Sequence, residues 1–301
     1  MITLDSLNRQ FGLADQLRFV TVEGGLAVAE IINPHARARI ALQGAHLTHW
    51  QPKGEQPVIW LSPKARFAPG KSIRGGVPIC WPWFGPHQSD SKLPGHGFAR
   101  TVMWDVQETQ ALTDGSTFIR LGLIESDATR AQWPHPCSAR LEVTVGKTLR
   151  VELVTTNTGE APFELSEALH TYFQISDVGN MTIRGLEGCD YLDKVHDFAR
   201  RTQQGPIAIE SEVDRVYVNT TADCVIEDKG LQRAIRIAKQ GSRSTVVWNP
   251  WQEKAEKMGD FGPALHRDMV CVESGNALEN SLNVQPGETH RLVAIYSVEK
   301  L

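Results

Sequence analysis

The sequence predicts an all-β fold of antiparallel sheets, arranged as a sandwich or barrel. Three observations predict it: apolar residues recur at alternate positions along most of the chain, turn-forming residues separate these short runs, and helical periodicity is nearly absent. In chain order the alternating segments are Ala27 to Ile32, Ala38 to Trp50, Val102 to Gln107, Thr117 to Ile124, Ala139 to Val145 and Leu149 to Thr155. Phe163 to Gln174, Met181 to Arg184, Cys224 to Glu227, Ala234 to Ala238, Thr245 to Trp248, Met269 to Glu273 and His290 to Val298 continue the series. Alternation of this kind puts one set of side chains into a core and the other toward solvent, which is the requirement of a strand. The clusters Thr113-Asp114-Gly115-Ser116, Asn157-Thr158-Gly159, Asp228-Lys229-Gly230 and Gln285-Pro286-Gly287 supply the reversals.

Two short helices are expected, Ser6 to Phe11 ending at Gly12 and Gln252 to Met258 ending at Gly259. No linker, composition shift or internal repeat divides residues 1–301, which therefore read as a single domain. The polar stretch Arg200 to Asp214 is expected to loop over one face of a sheet.

Composition narrows the functional classes. The 301 residues are 41% hydrophobic, enough for a large core, and 35 acidic against 31 basic side chains give a net charge of -4. Without a basic block, nucleic acid is not an expected partner. The five cysteines are scattered and never form a C-x-x-C pair, so they read as free thiols of a reducing compartment, and a cytoplasmic protein is expected. No run approaches the roughly 20 apolar residues that cross a bilayer, so no membrane partner is expected.

Several catalytic signatures are missing. The Ala68-Pro69-Gly70-Lys71-Ser72 segment has Ala65 where a phosphate-cradling loop needs its first glycine. His46 and His49 are three residues apart on an expected strand and so face opposite ways, which argues against a shared metal. No H-E-x-x-H metal motif and no G-x-S-x-G nucleophile motif occurs.

Three segments carry chemistry instead. Arg74 to Arg100 reads RGGVPICWPWFGPHQSDSKLPGHGFAR. Its glycines and prolines fix turns, Trp81, Trp83 and Phe84 could offer flat faces to a sugar, and Arg74, His96 and Arg100 supply polar and cationic groups. A buried aromatic turn is the alternative for the rings. In Phe163 to Phe173, period two places Phe163, Leu165, Leu169 and Phe173 on one face and His170 on the other, beside Ser166, Tyr172 and Gln174. Met269 to Asn276 is apolar at both parities, as in a strand covered on both faces, with Glu273 at its end. Burial of that carboxyl would raise its pKa toward the range of a general base.

Taken together, RGGVPICWPWFG, LPGHGFAR, SEALHTYF, DRVY, VVWNPW and VCVESGNA resemble the glucose-6-phosphate 1-epimerases, a hexose-6-phosphate mutarotase branch of the aldose 1-epimerase superfamily. The resemblance runs roughly from Arg37 to Val298. It implies a galactose mutarotase-like β-supersandwich, two large antiparallel sheets packed face to face with a sugar site on the concave side. It further implies His170 as general acid, Glu273 as general base, and Arg74, His96, Arg100 and Asp214 as substrate-binding residues. Neither a metal nor an organic cofactor is implied, and the expected partner of a monomeric chain is a small sugar phosphate. One departure is Gly95, where some relatives carry Gln, so a side-chain contact to the sugar is absent here. An epimerase of unphosphorylated aldoses and a carbohydrate-binding protein without catalysis are the alternatives.

Overall fold

The computed structural model describes residues 3–262 and 264–301. Two eight-stranded sheets dominate it, and every strand pair in them is antiparallel. The first, the site sheet, runs in space from Ala199–Thr202 through Asp190–Asp193, Val213–Tyr217, Ser244–Asn249, Met269–Asn276 and Glu167–Leu169 to Ile79–Cys80, with Tyr172–Gln174 also paired to Met269–Asn276. The second, the supporting sheet, contains Met181–Arg184, Cys224–Asp228, Arg233–Gln240, Thr289–Lys300, Leu149–Asn157, Cys137–Val145, Thr117–Leu123 and Trp104–Ala111 in spatial order. A four-stranded sheet near the N-terminus and a two-stranded ribbon complete the β structure.

Side-chain parity explains the packing. From the site sheet, Leu169, Phe173, Val213, Tyr217, Val247, Val270 and Val272 enter one apolar cluster with Leu141, Val143, Val151, Leu153, Leu292 and Tyr296 of the supporting sheet. Alternate residues of the same strands therefore point away from this core. There Tyr172, Trp248, Met269 and Cys271 pack with Trp60 and Phe261, while Val216 and Val246 pack with Phe84 and Leu192. Met269–Asn276 is consequently buried along its whole length, as the apolar residues at both parities predict.

The expected all-β class with few helices holds, and the departures have physical causes. Ala38 to Trp50 is two strands, Ala36–Ala41 and His46–Pro52, because the turn between them hides Leu42 and Ala45 and so carries the apolar pattern across the reversal. Phe163 to Gln174 is three short strands, although its predicted core face survives intact. Arg200 to Asp214 is not all loop: Ala199–Thr202 pairs with Asp190–Asp193, and Asp214 lies in a strand. The strands Leu17–Thr21 and Asp190–Asp193 and the helix Asp127–Gln132 were outside the predicted set. That helix is fixed locally by a reciprocal Ser126 and Thr129 cap. The first helix, Leu4–Phe11, stops at Gly12 in extended rather than left-handed conformation, and the other predicted helix occupies Trp251–Lys257.

Trp81 and Trp83 are a further correction. Both are buried in the main core, where their indole N–H groups reach Thr155 Oγ1 at 3.0 Å and the Pro94 carbonyl at 2.9 Å. They do not form a sugar platform. A tryptophan whose polar edge is satisfied internally loses little by burial and gains its full apolar area, and Phe84 alone of the three reaches the outer face.

Candidate active site

His170 and Glu273 meet on the outer face of the site sheet. The register that pairs Leu169 with Ser274 and Tyr172 with Cys271 sets His170 directly across from Glu273, despite the distance between them in sequence. His170 Nε2 lies 3.3 Å from Glu273 Oε1. Regular pairing breaks at this point: the His170 amide donates to the Pro78 carbonyl at 3.0 Å and the Thr171 amide to the Leu169 carbonyl at 2.9 Å. Thr171 Oγ1 in turn shares a 2.6 Å hydrogen bond with the Tyr296 hydroxyl in the core. The kink is thus anchored from behind. Glu273 sits inside its strand rather than at its end, correcting that detail of the prediction.

The surroundings of His170 are aromatic, where the sequence suggested a polar surface. Its ring stacks on Tyr172 with centroids 4.9 Å apart and meets Trp248 edge-on at 5.9 Å. The His170 side chain retains 13% exposure and Glu273 only 1%. Glu273 Oε2 and His170 Nδ1 are buried without a hydrogen-bond partner. Burial, reinforced by Asp214, pushes the Glu273 carboxyl well above the usual range, against the opposing fields of Lys194 and Arg100. Burial also holds the His170 imidazole well below its usual value, helped by His96, Arg100 and Arg74. Burial thus favours the uncharged form of each group.

Around this pair stand the other predicted residues. His96 faces His170 at 6.0 Å between ring centroids. Its backbone is held at φ 65°, and the following Gly97 lies so close to the Trp81 carbonyl oxygen that an added Cβ would be 1.9 Å from it. Only glycine fits there. His96 Nδ1 accepts the Gly85 N–H at 3.3 Å, so its neutral ring carries the proton on Nε2 as a hydrogen-bond donor. Burial, then Arg100, Lys194 and Arg74, lower the His96 pKa to about 3 and keep the ring neutral.

The two arginines differ. Arg74 is held by Asp260, Nε to Oδ1 at 3.1 Å, and by the Tyr172 hydroxyl, 3.1 Å from Nη1. Burial opposes its charge, but Tyr172 and Asp260 overcome that and raise its pKa. Arg100 donates one hydrogen bond among the described residues, Nη2 to the Gly95 carbonyl at 2.8 Å. The rest of its planar fork is available. Asp214, on the same face as Trp248 across the register, pairs with Lys194 at 3.0 Å, and the Lys194 ammonium lies 5.8 Å from the centre of the Phe84 ring.

Sequence reasoning missed Lys194 and Asp260, which come from a one-turn 3-10 helix and a loop, neither with a periodic signal. Tyr172 was legible two residues from His170 on the same face. Arg74 finds its carboxylate partner far along the chain, at Asp260.

Comparisons with known proteins follow the same geometry. The aldose 1-epimerase family matches residues 28–297. A candidate glucose-6-phosphate 1-epimerase of Escherichia coli (strain K12) is 39% identical over 248 residues, covering 82% of each chain. One from Cenchrus ciliaris is 38% identical over 263 residues, covering 84% of this chain and 79% of its own. The crystal structure of a candidate mutarotase from Salmonella typhimurium superposes with a TM-score of 0.90 at 35% identity, covering 97% of this chain and 96% of that one.

Proposed function

Since the chain belongs to the aldose 1-epimerase family, we propose that its basin interconverts the α and β anomers of a hexose 6-phosphate, glucose 6-phosphate first among them. The observation that carries this reading is the buried His170 and Glu273 pair, 3.3 Å apart, with an unpartnered atom on each residue. A binding protein has no use for two desolvated groups that share a proton. The substrate class rests on the names of the relatives and on the concentration of Arg74, Arg100 and Lys194 around the pair.

In the working form Glu273 is the carboxylate and His170 the imidazolium, reached from the resting form by moving one proton across their contact. Glu273 takes the proton of the anomeric hydroxyl, the hydroxyl oxygen forms the carbonyl, the bond from C1 to the ring oxygen breaks, and His170 protonates that oxygen. Rotation about C1–C2 exposes the other carbonyl face. Reversal of both proton transfers closes the ring as the opposite anomer, so the pair begins and ends with one proton.

Ring opening leaves the pair uncharged, which is the state that burial favours. The low-polarity setting therefore lowers the open-chain intermediate relative to the closed sugar with its charged pair. General acid and base assistance supplies roughly 100- to 10,000-fold per group. His96 Nε2–H and Asp214 orient sugar hydroxyls. Arg100, with its fork largely free, takes the phosphate by paired charge-assisted hydrogen bonds, and Arg74 adds positive field while fixing Tyr172 beneath His170.

Exchange NMR on fresh α-glucose 6-phosphate tests the proposal. Catalytic amounts of protein should accelerate equilibration, and more strongly than for glucose. No acceleration of either sugar removes the catalytic reading, while equal acceleration of both removes the phosphate from it.

A further inference from the structure

Beside the proposed catalytic pair, on the same face of the sheet, lies a thiol that the reaction does not use. A ring nitrogen of His170, Sγ of Cys271 and a carboxylate oxygen of Glu273 all lie within 4.8 Å of one another. Among the described residues this is the one cluster of three such donors. Cys271 is two residues before Glu273 on the same strand, so both point to the outer face, and His170 reaches them from across the register. We propose that these three side chains form an inhibitory site for a borderline-soft divalent cation, zinc above all.

The donor set selects the ion. Thiolate, imidazole and carboxylate together are zinc ligands, whereas magnesium and calcium favour oxygen alone. Zinc–donor bonds of about 2.0 to 2.3 Å bring donors to roughly 3.5 Å from one another, so side-chain rotations closing about 1 Å complete the triad. The buried, unpartnered Glu273 Oε2 is a second sign of a group awaiting a ligand. Cys271 is held in place by packing with Tyr172, Trp248 and Met269, and the partly exposed edge of His170 offers a way in. The fourth position is left for water or a sugar oxygen.

The exchange balances in charge. The thiol loses its proton, the proton shared by His170 and Glu273 leaves with it, and one doubly charged ion replaces two protons in the buried site. A bound ion occupies the lone pairs that would move protons, so turnover stops. The inhibition rests on the role proposed for His170 and Glu273, but the binding does not.

Cobalt(II) titration of the full, metal-stripped chain separates the two. The native protein should develop a thiolate-to-cobalt charge-transfer band that zinc displaces, and zinc should arrest anomer exchange. Cys271→Ala should keep metal-free exchange, lose the band, and need more zinc by a factor beyond the roughly 10- to 100-fold that loss of even an outer-sphere partner costs. Cys271→Ser, closer in volume, should likewise lack the band. A native protein without the band, or a Cys271→Ala protein with unchanged zinc sensitivity, overturns the site. A band with undiminished exchange under bound zinc keeps the metal site and overturns the catalytic assignment.

Discussion

Two of the imidazole–carboxylate pairs in the molecule, His170 with Glu273 and His290 with Glu167, draw their carboxylates from neighbouring strands of the site sheet, and they behave oppositely. Glu167, three residues before His170, lies across the register from Asn276, three residues after Glu273. It faces the inter-sheet side, where His290 of the supporting sheet contacts its Oε1 at 2.9 Å and Asn276 Nδ2 donates to the same oxygen at 3.1 Å. Asn276 is itself held by the Gly241 carbonyl at 2.8 Å and the Arg243 amide at 3.0 Å. Although burial works against it, the hydrogen bond and charge of Glu167, with Glu288 and the Gly241 carbonyl, raise the His290 pKa.

Among the described residues no such donor stands by at Glu273 Oε2 or His170 Nδ1, and burial favours the neutral forms of both groups. Residue type does not decide between a structural ion pair and a proton-sharing pair. What decides is whether neighbouring dipoles stabilise the separated charges.

The contrast is broken most severely at the outer pair. His170→Asn should slow anomer exchange by roughly 100- to 10,000-fold, measured by exchange NMR, with little loss of stability. Glu273→Gln should be equally slow yet melt higher by calorimetry, because a carboxyl whose pKa burial has raised destabilises the fold as pH climbs above its unfolded value. A native rate in either variant ends the assignment.

At the inner pair the ranking should invert. His290→Leu strands a buried carboxylate and should cost about 3 kcal/mol or more while exchange by the folded protein falls only modestly. His290 has a raised pKa, so its contribution is complete below its unfolded value and fades as pH rises through the folded one. The difference in denaturant midpoint between native and variant should therefore be greatest near pH 6 and shrink in alkali. A gap that widens with pH contradicts the ion-pair reading.

Arg100→Ala should raise KM for glucose 6-phosphate by about 10- to 100-fold, the worth of one charged hydrogen bond, and leave glucose nearly unaffected. It also removes a positive field that opposes the rise of the Glu273 pKa, so the corresponding limb of the pH–rate profile should move to higher pH. The smallest effect is expected from Val246→Thr. Val246 pairs directly with Glu273, and a hydroxyl there gives this carboxyl the donor that Glu167 already has. The Glu273 limb should shift to lower pH with a several-fold change in rate, about what one neutral hydrogen bond is worth. An unmoved profile shows that the hydroxyl does not reach the carboxyl.

Much of this was legible in the chain. The core face of Phe163 to Phe173 follows from period two alone, and so does the outward placement of His170. The two-sided burial of the Glu273 strand follows from its apolar residues at both parities. Register was not legible, because no local pattern says which strand lies beside which, and only the resemblance joined His170 to Glu273. Nor could spacing reveal that Asp260 would hold Arg74 or that Lys194 would meet Asp214, since Asp260 and Lys194 come from a loop and a short 3-10 turn. Trp81 and Trp83 misled because a rigid aromatic turn serves a core as well as a ligand, and the difference lies in hydrogen bonds to Thr155 and Pro94 that have no sequence signature.

The kinked register also bears on how such a protein can diversify. His170 and Glu273, the side chains proposed to react, are spaced by a backbone ladder locked from behind by Thr171 and Tyr296, whereas Arg100, His96, Lys194 and Asp260 project from connecting segments. Insertions or exchanges in those segments can retarget the enzyme to other sugars while the reacting atoms keep their spacing. Chemistry and recognition are thus separately heritable parts of one scaffold.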